Sequence, residues 1–328
     1  MRARLLSRGA VALVAAIAAV WAPPAGATTR PEPPKCAGLS CQDPMFHLQY
    51  PVNGTFTTKR GVEVDTPAQY FEADVFNLYG AADLKAVRRW TAGTGFQPVE
   101  TTDGRGIGNL IVNHFVDSNL EPYREIVLAV AVDDERRVVP ADNPYEYLAA
   151  TLDPRTTMFV LKLLLDEQLP IDVGLEYFKM PKVPLPQRLR FDFSTTLANV
   201  SAASHRGRRI FDVRFPIEQS PDALEGMRST EGFGGWADDS TAHGGLTRFN
   251  YIYRDVSDRR KLHKTHAVGR IFTDPQGFSF SPPGPGARFK AYRGTEFGTK
   301  LAKMRLRPEL GLILFDGHWV LSEGWKPE

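Results

Sequence analysis

The sequence predicts a β-rich α+β fold, a single domain whose antiparallel sheet is closed, or nearly closed, into a barrel or cone with a few short helices. Three observations carry this: short apolar runs recur along the chain, Gly, Pro and Asp fall between them, and helical periodicity is confined to three places. In order, the strand candidates are Ala73–Leu78, Asn109–Phe115, Glu125–Val132, Thr157–Leu165, Leu189–Phe193, Arg209–Phe215, Thr247–Tyr253, Val268–Phe272, Arg288–Ala291 and Leu310–Phe315. Glu125–Val132 is the clearest, because after the glutamate it is continuously apolar and rich in β-branched residues, as a buried strand requires. The helix candidates are Ala81–Trp90, Ile171–Phe178 and Glu296–Met304; the last sets Phe297, Leu301 and Met304 on one face. Pro275–Gly286 is dense in turn-forming residues and marks a loop. Ser229–Gly245, glycine-rich and holding Phe233, Trp236 and His243, reads as either a surface excursion or a lid.

The N-terminal region divides differently. Arg2, Arg4 and Arg8 precede the apolar run Ala10–Trp21, and Ala25-Gly26-Ala27 supplies a cleavage site, so residues 1–27 read as a secretory signal peptide. The apolar run is too short for a comfortable transmembrane span, and no membrane association is expected once the signal is removed. Its loss takes three arginines and no acid, turning the net charge from +2 to −1 and leaving no case for a nucleic-acid-binding protein. Residues 28–44 form a proline-rich arm holding Cys36 and Cys41, the only two cysteines. In an exported chain this C-x4-C pair reads best as a small disulfide loop. Residues 45–328 are then the single globular domain, expected to act outside the cytoplasm. No metal site is expected, since His263-x-x-His266 has no acidic third ligand at a recognisable spacing.

The chemistry concentrates in Ile171–Gln187. Lys182 sits in Met180-Pro181-Lys182-Val183-Pro184, and the prolines exclude a helix through the lysine. Buried among Met180, Val183 and Leu185, the amine would lose hydration, which disfavours its charged form and leaves a nucleophile able to form a Schiff base. On a surface, the same lysine would only cover apolar neighbours with its stem. Upstream, Pro122-Tyr123-Arg124-Glu125 leads into the apolar strand. Glu125 there is a proton-transfer partner, half of an ion pair with Arg124 or another nearby cation, or a solvated strand end.

Pro-Tyr-Arg-Glu before an apolar strand, followed by Gly174-Leu175-Glu176-Tyr177-Phe178-Lys179-Met180-Pro181-Lys182, resembles the acetoacetate decarboxylase superfamily; Tyr70-Phe71 and Gly95-Phe96-Gln97-Pro98-Val99 also fit. The resemblance spans roughly Gln69 to Arg190. It implies the barrel or cone of that superfamily, with Lys182 as Schiff-base lysine and Glu125 as an acid in the same pocket. Tyr123, Arg124, Phe178 and Met180 are expected to contact substrate. It also implies a small carbonyl or keto-acid partner, no cofactor, and a chain that can form a homo-oligomer. Three departures argue against decarboxylation of acetoacetate itself. Val183 stands where the true decarboxylases carry a second lysine, Ala68 where they carry an arginine, and a further pocket glutamate falls near Leu110. A lysine with one carboxylate suits aldol addition or cleavage, dehydration or hydration. The rival expectation is a non-catalytic secreted protein that binds an apolar or carbonyl ligand.

Overall fold

The structure, a computed structural model, describes residues 50–184, 188–194, 196–204, 206–217, 246–270 and 278–323. The expected signal peptide, the arm with Cys36 and Cys41, and the Ser229–Gly245 loop lie outside the described residues.

In chain order the elements are β1 (Gly54–Thr57), β2 (Glu63–Thr66), β3 (Ala68–Ala82), α1 (Leu84–Thr91), β4 (Gln97–Thr101), β5 (Gly106–Ser118), β6 (Tyr123–Asp133), β7 (Arg137–Val139), α2 (Tyr145–Leu152), β8 (Thr157–Leu165), α3 (Gln168–Glu176) and β9 (Lys182–Pro184). They continue with β10 (Arg188–Ser194), β11 (Leu197–Ala203), β12 (Arg209–Pro216), β13 (Leu246–Arg254), β14 (Leu262–Arg270), β15 (Phe278–Ser281), β16 (Arg288–Ala291), α4 (Glu296–Met304) and β17 (Arg307–Glu323).

Strands β6, β5, β3, β17, β14, β13 and β8 are hydrogen-bonded in that order, and β8 returns to β6, so the sheet closes into a ring. Seven strands cannot alternate direction all the way round. The antiparallel expectation therefore fails at one seam of the ring, where β13 runs parallel to β8 from Asn250↔Thr157 to Ile252↔Phe159. Closure removes the free edges that an open sheet would expose.

Side-chain alternation gives the ring two faces, each with its own core. On β6, Tyr123, Val127, Ala129 and Ala131 point inward, while Ile126, Leu128, Val130 and Val132 point outward. That second face is buried too, which explains why the run is continuously apolar. A four-stranded antiparallel sheet, β10-β11-β12-β16, lies against it with Ala198, Val200, Phe211, Val213 and Phe215. Helix α4 adds Phe297, Leu301 and Met304, the face expected from its spacing. Removing such a side chain from water stabilises by roughly 1.5–3 kcal/mol. Phe215 packs onto Gly311 of β17, where an added Cβ would lie 2.3 Å from the ring.

Several expected elements are longer than their apolar centres, because backbone pairing continues past the last apolar residue; Ala73–Leu78 is the middle of β3. Helix α1 starts later than expected, at Leu84, where Asp83 accepts a hydrogen bond from the Ala86 amide at 2.9 Å. The Pro275–Gly286 loop is corrected in part. Phe278–Ser281 pairs with Leu314–Gly311 of β17 as a strand, so the Phe-Ser alternation prevails over the surrounding prolines and glycines.

Candidate active site

Helix α3 and strand β9 bring the lysine to the inside of the ring. After α3 the chain turns sharply, with Lys179 in the left-handed region at φ 60° and the Met180 amide donating to the Gly174 carbonyl at 2.8 Å. The Tyr253 hydroxyl donates to the Phe178 carbonyl at 2.6 Å and accepts from Thr265 at 2.7 Å, tying this turn to β13 and β14. Lys182 then opens β9, parallel to β8 with Leu163 as its register partner. The spacing Gly174 to Lys182 has a steric cause. A Cβ at position 174 would sit 2.0 Å from Lys182 Cδ and 2.5 Å from Cε, so only glycine lets the helix lie against the lysine stem.

The lysine side chain is 3% exposed and its Nζ lies 3.3 Å from Glu125 Oε2, whose side chain is 9% exposed. Both line a cavity of about 110 Å³ inside the ring. Nζ is also 5.8 Å from the centre of the Tyr123 ring. Tyr123 donates to the Tyr70 hydroxyl at 3.1 Å, and Phe115 stacks on Tyr70 with ring centres 4.2 Å apart. Burial first, and then the Glu125 carboxylate, push the phenols of Tyr70 and Tyr251 up from their ordinary value; burial, then Tyr70, raises Tyr123. These hydroxyls therefore stay protonated.

Lys182, Glu125 and Met180 thus meet at the cavity, and Tyr123 stands beside the amine. Arg124 does not join them. Strand alternation turns it outward, where its backbone amide donates to Asp166 at 2.7 Å and its guanidinium lies 5.9 Å from the Phe191 ring centre. Phe178 is buried, but it packs against Tyr177 in the inner core and does not line the cavity. Lys179 binds the Glu176 carbonyl with its amine. Of the three departures, Val183 packs into the outer core and Ala68 into the inner one, while Leu110 points outward; it is its neighbours Asn109 and Ile111 that line the cavity.

The motifs did not mark Asn77, Asn109, Asn113, Thr151, Tyr251 and Trp319, which also line the cavity. The available signal was the appearance of Asn77, Asn109 and Asn113 in inward register within otherwise apolar strands.

No family profile matches the chain, and no curated protein does. Among solved structures it is similar to acetoacetate decarboxylase from Legionella pneumophila, at 9% identity and TM-score 0.49, covering 83% of this chain and 88% of that one. An acetoacetate decarboxylase-like enzyme from Sphingomonas wittichii RW1 is similar at 13% identity and TM-score 0.47, with 84% and 98% covered. The enduracididine biosynthesis enzyme MppR, complexed with pyruvate, is similar at 12% identity and TM-score 0.47, with 77% and 88% covered. Two of these three structures bear the name of the family that the sequence motifs resemble. At such identities and scores, nothing of their reactions or ligands passes to this chain.

Proposed function

We propose that this protein captures a small carbonyl compound in the inner cavity as a Schiff base on Lys182 and then acts as a lyase of the aldolase or dehydratase kind. One observation supports the reading above all: a buried amine 3.3 Å from a buried carboxylate, both facing the same cavity. In the proposed sequence Glu125 takes a proton from the Lys182 ammonium, and the freed amine adds to the carbonyl carbon. Glu125 returns that proton to the carbinolamine hydroxyl, which leaves as water while the iminium forms. The iminium draws electrons from the bond beside it, and Glu125 receives or supplies the proton at that carbon. The chain is proposed to work outside the cytoplasm, which N-terminal sequencing of exported material beginning at Thr28 would support.

Borohydride trapping tests the reading. Incubation with keto acids, aldehydes and ketones, reduction and peptide mass spectrometry should find the adduct on the peptide carrying Lys182, absent in Lys182→Met. Equal labelling of that variant would sink the proposal. The apolar walls built from Val75, Ile111, Val127 and Val160 favour a second reading, reversible ligand binding without chemistry. Saturable binding with no adduct from any carbonyl would select it.

A further inference from the structure

Beside Glu125, three cavity-lining asparagines on β3 and β5 form a polar stripe. Asn113 stands opposite Glu125 across β5 and β6, and Asn77 stands opposite Ile111, which makes Asn109 and Asn113 its diagonal neighbours. All three line the cavity, and Asn77 and Asn109 are 7% and 1% exposed. Their Oδ1 atoms accept no hydrogen bond, although the Asn77 amide nitrogen donates to the Tyr79 hydroxyl at 2.6 Å. Buried acceptors without donors are uncommon enough to demand a partner.

From this juxtaposition of the Asn77–Asn109 stripe with the Lys182–Glu125 pair we infer that the cavity takes a neutral, hydroxyl-bearing carbonyl compound in preference to a keto acid. The carbonyl part rests on the reading above; the hydroxyl part does not. A hydroxyl donates to a carboxamide oxygen and accepts from its nitrogen, so it pairs with either orientation of the amide. A carboxylate only accepts. Among the described lining residues Lys182 is the one cation, and Glu125 already faces it. A substrate carboxylate would therefore bring a second negative charge into a largely apolar space, which is the costly case for burial. Size sets the other limit. A cavity of about 150 Å³ holds the six carbons of benzene, so 110 Å³ admits about four or five non-hydrogen atoms.

The test compares hydroxyacetone with butanone, which has a methyl in place of the hydroxyl, and with pyruvate. At equal concentration hydroxyacetone should label Lys182 at least about tenfold faster than either, because a site built for a hydroxyl rejects the analogue that lacks it. In Asn77→Leu/Asn109→Leu, the hydroxyacetone-to-butanone ratio should fall to about one. Butanone or pyruvate labelling the native protein as fast as hydroxyacetone would overturn the inference while leaving the Schiff base intact. If no carbonyl labels Lys182, the Schiff-base reading fails, and saturation-transfer NMR of propane-1,2-diol against butan-2-ol decides the hydroxyl preference. Stronger binding of the diol to the native protein supports it; equal or weaker binding refutes it.

Discussion

The Lys182 and Glu125 side chains are both almost fully buried and face each other at 3.3 Å, so removing one partner strands the other. Lys182→Met should lower stability by roughly 3–5 kcal/mol in urea titrations, and Lys182→Met/Glu125→Leu should recover much of that loss. Gly174→Ala should cost roughly 1–3 kcal/mol by overpacking and also suppress the borohydride adduct, because its Cβ would displace the lysine stem. Arg124→Ala should change stability by less than about 1 kcal/mol and leave adduct formation untouched, since its guanidinium faces solvent 4.0 Å from Asp166. At this scale the structure brings together at one cavity the lysine, the glutamate and Met180 that the motifs single out. It leaves Arg124 apart from them, which a linear motif cannot show because it carries no face: in β6 the residues on either side of Arg124 turn inward while it turns out. The asparagines were hidden for a related reason. Each is an ordinary polar residue until the closure of the ring shows that its side lines an enclosed cavity.

The hairpin of β13 and β14 depends on its turn. Asp255 is 6% exposed and accepts from the Ser257 amide and hydroxyl, both at 2.6 Å, and it lies 2.8 Å from His263 Nε2. The Ser257 hydrogen bonds hold its carboxyl below the usual carboxylate range. An acid depressed in the folded state contributes stability above its unfolded value of about 4 and loses it as pH falls further. The melting-temperature gap between the native protein and Asp255→Asn should therefore be widest near neutrality and shrink below about pH 4. Strands with apolar, β-branched centres were legible at this scale, and Thr157–Leu165 keeps its expected bounds. Strand β11, Leu-Ala-Asn-Val-Ser-Ala-Ala, was not, because its inward residues are small and its register comes from β10 and β12 on either side. Helix α2 escaped as well; it lacks a side-chain cap and its burial against β3 and β17 is long-range.

At the scale of the whole molecule, the two large cores among the described residues share one curved sheet. The inner one yields space to a cavity, and the outer one is filled by the second sheet and by helices α1 and α4. A strand continuously apolar in sequence announces that both its faces are covered, but not which side holds the cavity. The parallel seam was unreadable locally, because it follows from a count of strands and not from any residue. One more arrangement bears on the amine. The hairpin β1–β2 grips the outer side of α3 through the Lys59 amide to Glu176 at 2.7 Å, Arg60 to Asp172 at 3.2 Å, and the Phe56 ring 5.2 Å from Tyr177. Since α3 is moulded round the stem of Lys182, that clasp backs the nucleophile from behind. Nicking the chain between β1 and β2 should therefore slow labelling of a residue more than a hundred positions downstream.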